Sequence, residues 1–290
     1  MSNNPPPPPP PASAPSTTIT TSTTQRSSLV ELKCDLASNN NNPNLIQLTF
    51  NTSGECTWAT QYPEIQKACY LRRICQFAPP KELRVQNVTP ILQTGPTCGL
   101  TALSIFFEGS PSVKTFLDMA RARGYTNNGE MFSARQLNDL LAQGLENNRH
   151  LCEYKTVSHT VIDEGWLDDS STRKQLRNGS IFVVPYDPDR NHTPCLNRGH
   201  KAHWALIVGY LIDQFDDYYV FARHGKTKNL ALWSLRDLAH SNANLFEFCQ
   251  PISHADEVFV LPEGGIAGSN GLRSQFIMIE HYRARDEIVF

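Results

Sequence analysis

No apolar run in this chain of 290 residues approaches the roughly 18 residues that a membrane helix needs. The best stretch, Ala202 to Ile212, is interrupted by His203 and Gly209, so no membrane helix is expected. Charge of one sign is also lacking: 26 Lys+Arg stand against 28 Asp+Glu, a formal net charge of −2. A protein that tracks nucleic-acid phosphates usually shows a basic stripe, so a nucleic-acid partner is not expected. The opening Met-Ser-Asn-Asn has neither the charged nor the apolar region of a secretory leader. The 8 cysteines are therefore expected as thiols in a reducing compartment, and the location expected is cytoplasmic. Closely spaced Cys or His pairs of the structural-zinc kind are missing around Cys56, Cys69 and Cys75, which read as buried structural thiols. Neither a metal nor an organic cofactor is expected, and no internal repeat is apparent.

What is present divides the chain. Residues 1–44 hold an unbroken proline run, Pro5 to Pro11, then Ser/Thr-rich sequence to Ser28 and an Asn tract ending at Pro43. Such a segment has too little apolar area to offset its ordering entropy and is expected to be disordered. The prolines favour a polyproline II helix, which is a ligand for aromatic grooves of the SH3, WW, EVH1 or profilin kind, or else a solubilising spacer. Residues 45–83 form an extension of uncertain structure, with strand-like alternation over Leu45–Phe50 and one amphipathic helix expected over Tyr62–Phe77.

Residues 84–290 read as the folded domain, and 14 Phe, 9 Tyr and 4 Trp across the chain can fill a sizeable core. Leu100, Leu103, Phe106 and Phe107 have helical spacing over Cys98–Glu108, ended by Gly109-Ser110-Pro111. A second helix is expected from about Ser112 to Arg123, and a third opens on the capping pair Ser133 and Gln136. Strand signals follow at Ile181–Tyr186, His203–Ile212, Tyr218–Ala222, Leu230–Trp233, Glu257–Leu261 and Gln275–Ile279. Helices first and strands later predict an α+β domain with N-terminal helices packed on a largely antiparallel sheet.

Chemistry concentrates in Gln93-Thr94-Gly95-Pro96-Thr97-Cys98-Gly99-Leu100. A Gly-Pro turn delivers Cys98 to the first turn of an apolar helix, where unpaired N–H groups and the helix dipole favour a thiolate nucleophile. Gly99 admits another backbone or a substrate closely. Gln93 can place an amide N–H where an oxyanion would form, beside the Cys98 N–H. On its own this turn fits a buried structural cysteine better than a nucleophile, and the second segment shifts that balance. A second segment, His203-Trp204-Ala205, stands at the mouth of an apolar strand, where His203 can serve as general base and then acid. His200 is its rival, in a Gly/Lys-rich loop. The group that would orient His203 is open among Asp213, Asp216, Asp217, Asn229, Asp237, Asn242, a backbone carbonyl and water.

Gln-x-x-x-x-Cys-Gly-Leu followed about a hundred residues later by His-Trp-Ala resembles the papain-fold cysteine peptidases of the C39-like type. With the proline run added, the set resembles the branch that processes actin. The resemblance covers roughly Pro90 onward, including Gly225-Lys226, Leu232-Trp233 and the Val258–Gly265 region. It implies a cytosolic thiol aminopeptidase that removes the N-acetylated terminal residue, Met or Cys, of immature actin. Cys98 would attack, Gln93 would help hold the oxyanion, His203 would protonate the leaving amine, and Pro5 to Pro11 would bind profilin. The competing readings are another papain-fold thiol hydrolase, processing leader peptides or ubiquitin-like modifiers, and a non-catalytic profilin- or SH3-binding adaptor.

Overall fold

The computed structural model describes residues 54–250, 255–282, 284 and 286–290. The proline run, the expected disorder of residues 1–44, the boundary at 44/45 and the Leu45–Phe50 alternation lie outside those residues. In chain order the elements are α1 (Pro63–Arg72), β1 (Glu82–Asn87), α2 (Cys98–Phe106), α3 (Val113–Ala122), α4 (Ala134–Asn148), β2 (Ser158–Ile162), α5 (Ser170–Arg177) and β3 (Ile181–Pro188). There follow β4 (Pro194–Cys195), β5 (His203–Ile212), β6 (Tyr218–Arg223), β7 (Ala231–Ser234), α6 (Leu235–Ala243), β8 (Phe276–Glu280) and β9 (Asp286–Val289). The class is α+β, with a sheet of nine strands among the described residues.

β5 is the hub of that sheet. Its residues 203–207 pair with β3 and 209–212 with β1, while β6 runs along 206–212 on the opposite edge, all antiparallel. β8 and β2 extend the sheet beyond β3, and β9 extends it beyond β1. Every residue of β5 is buried because both faces are covered. Trp204, Leu206 and Val208 join one core with Leu100, Leu103 and Phe106 of α2. Ala205 and Ile207 join the other, with Leu176 of α5 and Leu235 and Leu238 of α6.

Past Gly209 the faces exchange: Tyr210 and Ile212 belong to the second core and Leu211 to the first. The cause is a bulge, seen as a skip in the β5–β6 register between Ile207 and Gly209. Side chains alternate with period two along a strand, so one extra residue inverts every later one. Helix α1, in the stretch expected as a separate extension, packs into the first core through Ile65, Ala68 and Cys69, and β1 begins at Glu82. Burial holds the Cys56 thiol up at about 11, and it raises Cys69 further still.

Two sequence expectations are corrected. The helix expected over Tyr62–Phe77 stops at Arg72, because Arg73 turns left-handed at φ 55° and its N–H closes back on Cys69 and Tyr70 carbonyls. Glu257–Leu261 is no strand: Asn127 Nδ2 donates to the Val258 carbonyl at 2.8 Å, and the Val260 N–H goes to Glu130 Oε1 at 3.3 Å. Side chains of the 127–130 loop thus take backbone groups that a sheet partner would have used.

A Cβ on Gly209 would stand 2.1 Å from the Arg84 carbonyl oxygen and 2.7 Å from Val85 Cα. Neither is a flexible side chain, so β1 would have to move. Gly209→Ala is expected to lose on the order of 3 kcal/mol in denaturant unfolding; an unchanged midpoint would show that β1 yields without cost.

Candidate active site

The turn before α2 is built locally. Gly95 occupies the left-handed region at φ 65°, and the Thr97 hydroxyl donates to the Thr94 carbonyl at 2.9 Å. Cys98 becomes the first residue of α2, half-buried, with the following residues of the helix fully enclosed. Gly99 lies against the indole of Trp204, where a Cβ would meet Cδ1 at 3.1 Å. The close approach expected at Gly99 is therefore made by a side chain of β5. That indole is held in turn by donating to the Met131 carbonyl at 2.8 Å.

Cys98, His203 and Gln93 line one cleft of about 640 Å³, with Met131, Phe132, Phe248 and Phe259 as apolar walls. His203 opens β5 opposite Tyr186 of β3, its ring centroid 5.7 Å from the tyrosine ring. His203 Nε2 lies 2.7 Å from the backbone carbonyl oxygen of His224. A carbonyl only accepts, so the proton sits on Nε2 and the neutral ring keeps its lone pair on Nδ1.

Burial pushes His203 down to about 3, with Lys226, His224 and His192 adding to the effect and the His224 carbonyl opposing it. Its imidazole is neutral at pH 7. Burial also raises the Cys98 thiol, against hydrogen bonds from the N–H groups of Trp204, Gly99 and Cys98 itself and the charge of Lys226. The sequence suggests a thiolate at this helix start, whereas burial in the structure favours the thiol. A helix dipole is worth about 0.3–1 kcal/mol, less than one pKa unit, and desolvation exceeds it.

Gln93 is fixed at both ends. Its backbone N–H donates to the Gly225 carbonyl at 2.8 Å, and its side-chain Nε2 donates to the Gly95 carbonyl at 2.8 Å. An amide nitrogen carries two hydrogens, so one remains for a ligand in the cleft. Gln93 Oε1 is buried without a hydrogen-bond partner.

None of the side chains left open as the orienting group hydrogen-bonds to His203. Asp213 caps its own turn through the Phe215 and Asp217 N–H groups, and Asp216 pairs with Lys81. Asn229 accepts from Lys67, while Asn242 donates to the Pro185 and Gln275 carbonyls. His200 lines the cleft but bonds Glu247 at 2.8 Å. Sequence reasoning also missed Asp187, wholly buried, whose carboxylate accepts the Gly199 and Lys201 N–H groups and ties down the loop leading into His203. An aspartate closing an apolar strand run was its only signal.

Charge around the cleft is uneven. Arg190, Lys201 and Lys226 line it, and no ion pair engages them among the described residues. The facing carboxylates are occupied: Glu130 accepts the Asn127, Asn128 and Val260 N–H groups, and Asp189 those of Asn191 and Thr193.

A family model described as actin maturation protease-like, C-terminal domain, matches residues 88–211, which hold Gln93, Cys98 and His203. An actin maturation protease of Drosophila melanogaster is 48% identical over 228 residues, 79% of this chain and 82% of its own length. Those of Danio rerio and Xenopus tropicalis are 30% and 28% identical over 237 and 231 residues, covering 68% and 67% of this chain and 74% and 72% of their own. The class is thus that of a protease. More narrowly, the chain belongs to the actin maturation protease family.

The depressed histidines carry a linked prediction. His224, whose ring stacks on Trp233 at 5.8 Å, is pushed down to about 4, chiefly by burial, from an ordinary 6.5. Above 6.5 the ring is neutral folded or unfolded; below it the unfolded chain binds a proton that the fold refuses, so stability falls with pH. His224→Phe is expected to flatten unfolding free energy against pH by about 1 kcal/mol per unit between about pH 6 and 5. An equal slope in both proteins would show that the folded ring titrates normally.

Proposed function

We propose that the chain is a cysteine-type aminopeptidase of papain-like fold, acting in the cytoplasm to remove the N-acetylated terminal Met or Cys of immature actin. The observation that carries the reading is the single cleft joining a helix-start thiol to an imidazole whose tautomer a backbone carbonyl fixes. Supporting it, α2 packs its first turn against the start of β5, and the curated relatives carry the name actin maturation protease.

In this mechanism the resting pair is uncharged. As the Cys98 sulfur attacks the carbonyl carbon of the acetylated residue, its proton passes to His203 Nδ1. The oxyanion gathers on the Cys98 N–H and the free hydrogen of the Gln93 amide. The imidazolium so formed keeps its Nε2–H on the His224 carbonyl and gives its Nδ1 proton to the departing amine, the new N-terminus of the shortened chain. Water, deprotonated by His203, then cleaves the thioester and frees the N-acetyl amino acid. An acetylated terminus has no amine for a metal aminopeptidase to bind, whereas a thiol peptidase treats it as an acyl group.

The unpaired Arg190, Lys201 and Lys226 favour a substrate with carboxylates close to the cut bond. Pro5 to Pro11 would bind profilin, and a tethered profilin–actin complex would raise the local substrate concentration without a large groove.

Mass spectrometry of actin N-termini in cells lacking the protein tests this. Wild type is expected to restore trimming and Cys98→Ala to restore none; rescue by Cys98→Ala would end the peptidase reading. With purified enzyme, Gln93→Ala is expected to lower kcat on an acetylated peptide by about a hundredfold. Removing Pro5 to Pro11 should leave cleavage of a short peptide unchanged and slow cleavage only of profilin-bound actin; equal loss on both substrates would place the prolines in catalysis itself.

A further inference from the structure

Helix α1 contributes no residue to the cleft lining, yet it grips the loop that organises the cleft. Four consecutive residues, from the last of β6 into that loop, each make a different connection. Arg223, 2% exposed, places Nη1 3.0 Å and Nη2 2.5 Å from the two carboxylate oxygens of Glu64 in the first turn of α1. His224 supplies the carbonyl that receives His203 Nε2. Gly225 supplies the carbonyl that receives the Gln93 N–H. Lys226 faces the cleft.

The far end of the loop is held by the same helix, through Lys67 Nζ to Asn229 Oδ1 at 2.9 Å. Arg223 also donates across the loop to the Lys228 carbonyl at 2.8 Å, while its Nε is buried without a partner. A buried guanidinium with so few acceptors depends on its bidentate carboxylate for its position. Gly225 has little room to shift: at φ 73°, a Cβ there would lie 3.1 Å from Thr101 Cγ2 and 3.5 Å from Gln93 Cβ. Sliding of the 223–229 loop would therefore move the orienting carbonyl of His203 and the anchor of Gln93 together.

We propose that Glu64 and Lys67 are positioning residues of the protease: by clamping Arg223 and Asn229, helix α1 sets the His224 and Gly225 carbonyls that aim His203 and Gln93. The proposal rests on the reading of Cys98, His203 and Gln93 as the peptidase site. It gives helix α1 a part in positioning the site without any contact to substrate.

The test uses the full chain and the variants Glu64→Gln and Lys67→Met, read in two ways. The first is the kcat and KM split on an acetylated peptide. The second is the rate at which iodoacetamide alkylates Cys98, followed by mass spectrometry of its peptide, which needs no substrate. Glu64→Gln is expected to lower kcat and the alkylation rate each on the order of tenfold, with KM unchanged. Lys67→Met, which leaves Arg223 paired, is expected to lower both several-fold, and keeps the test available if Glu64→Gln does not fold. Wild-type alkylation and kcat in the folded variants would overturn the proposal, as would a rise in KM alone. Cleavage by Cys98→Ala would instead sink the peptidase reading, so the two failures are distinct.

Discussion

One hydrogen bond constrains the site: His203 Nε2–H to the His224 carbonyl. Because the acceptor is a backbone oxygen, it fixes the tautomer and rotation of the imidazole without bringing a second charge into a buried cleft. A carboxylate in that place would stabilise the imidazolium in the resting enzyme and draw the pair toward thiolate and imidazolium. With a neutral acceptor, burial decides, and it favours thiol and imidazole over the ion pair. In the proposed mechanism charge then develops only during attack, when the Cys98 N–H and the Gln93 amide would have an oxyanion to hold.

The fold serves that bond from several directions. β5 and β6 are neighbours, so the start of one and the end of the other bring His203 and His224 side by side. The Asp187 carboxylate secures the loop entering β5, and Trp204, wedged between Gly99 and the Met131 carbonyl, fixes the distance from β5 to α2. The bulge between Ile207 and Gly209 lets one strand satisfy both cores, since without it Tyr210 and Ile212 would face the wrong layer.

Much of this was legible in the sequence, for physical reasons that differ by element. Leu100, Leu103 and Phe106 repeat with a helix period because α2 is buried against a sheet, and β5 stands out because both its faces are enclosed. Cys98, His203 and Gln93 could be named as candidates because their side-chain types suit such chemistry, and the fold brings all three to one cleft. The orienting group could not be chosen among its alternatives, since a main-chain carbonyl has no residue type to mark it. Glu257–Leu261 looked like a strand because alternation reports exposure, not who takes the backbone hydrogen bonds. The short β1, β2 and β9 were missed because half-buried strands near sheet edges, such as Ser158–Ile162, carry too few apolar residues to show a period. The thiolate was expected because a helix start is visible in sequence, while the desolvation that opposes it is not.

The central claim is that the His203 ring is neutral, protonated on Nε2 and bare on Nδ1. Nitrogen-15 NMR of the histidine-labelled full-length protein at neutral pH reads this directly. The account requires a protonated-type shift for His203 Nε2, coupled to a slowly exchanging proton, and a lone-pair shift for Nδ1. A resting imidazolium, or the tautomer with its proton on Nδ1, would contradict it.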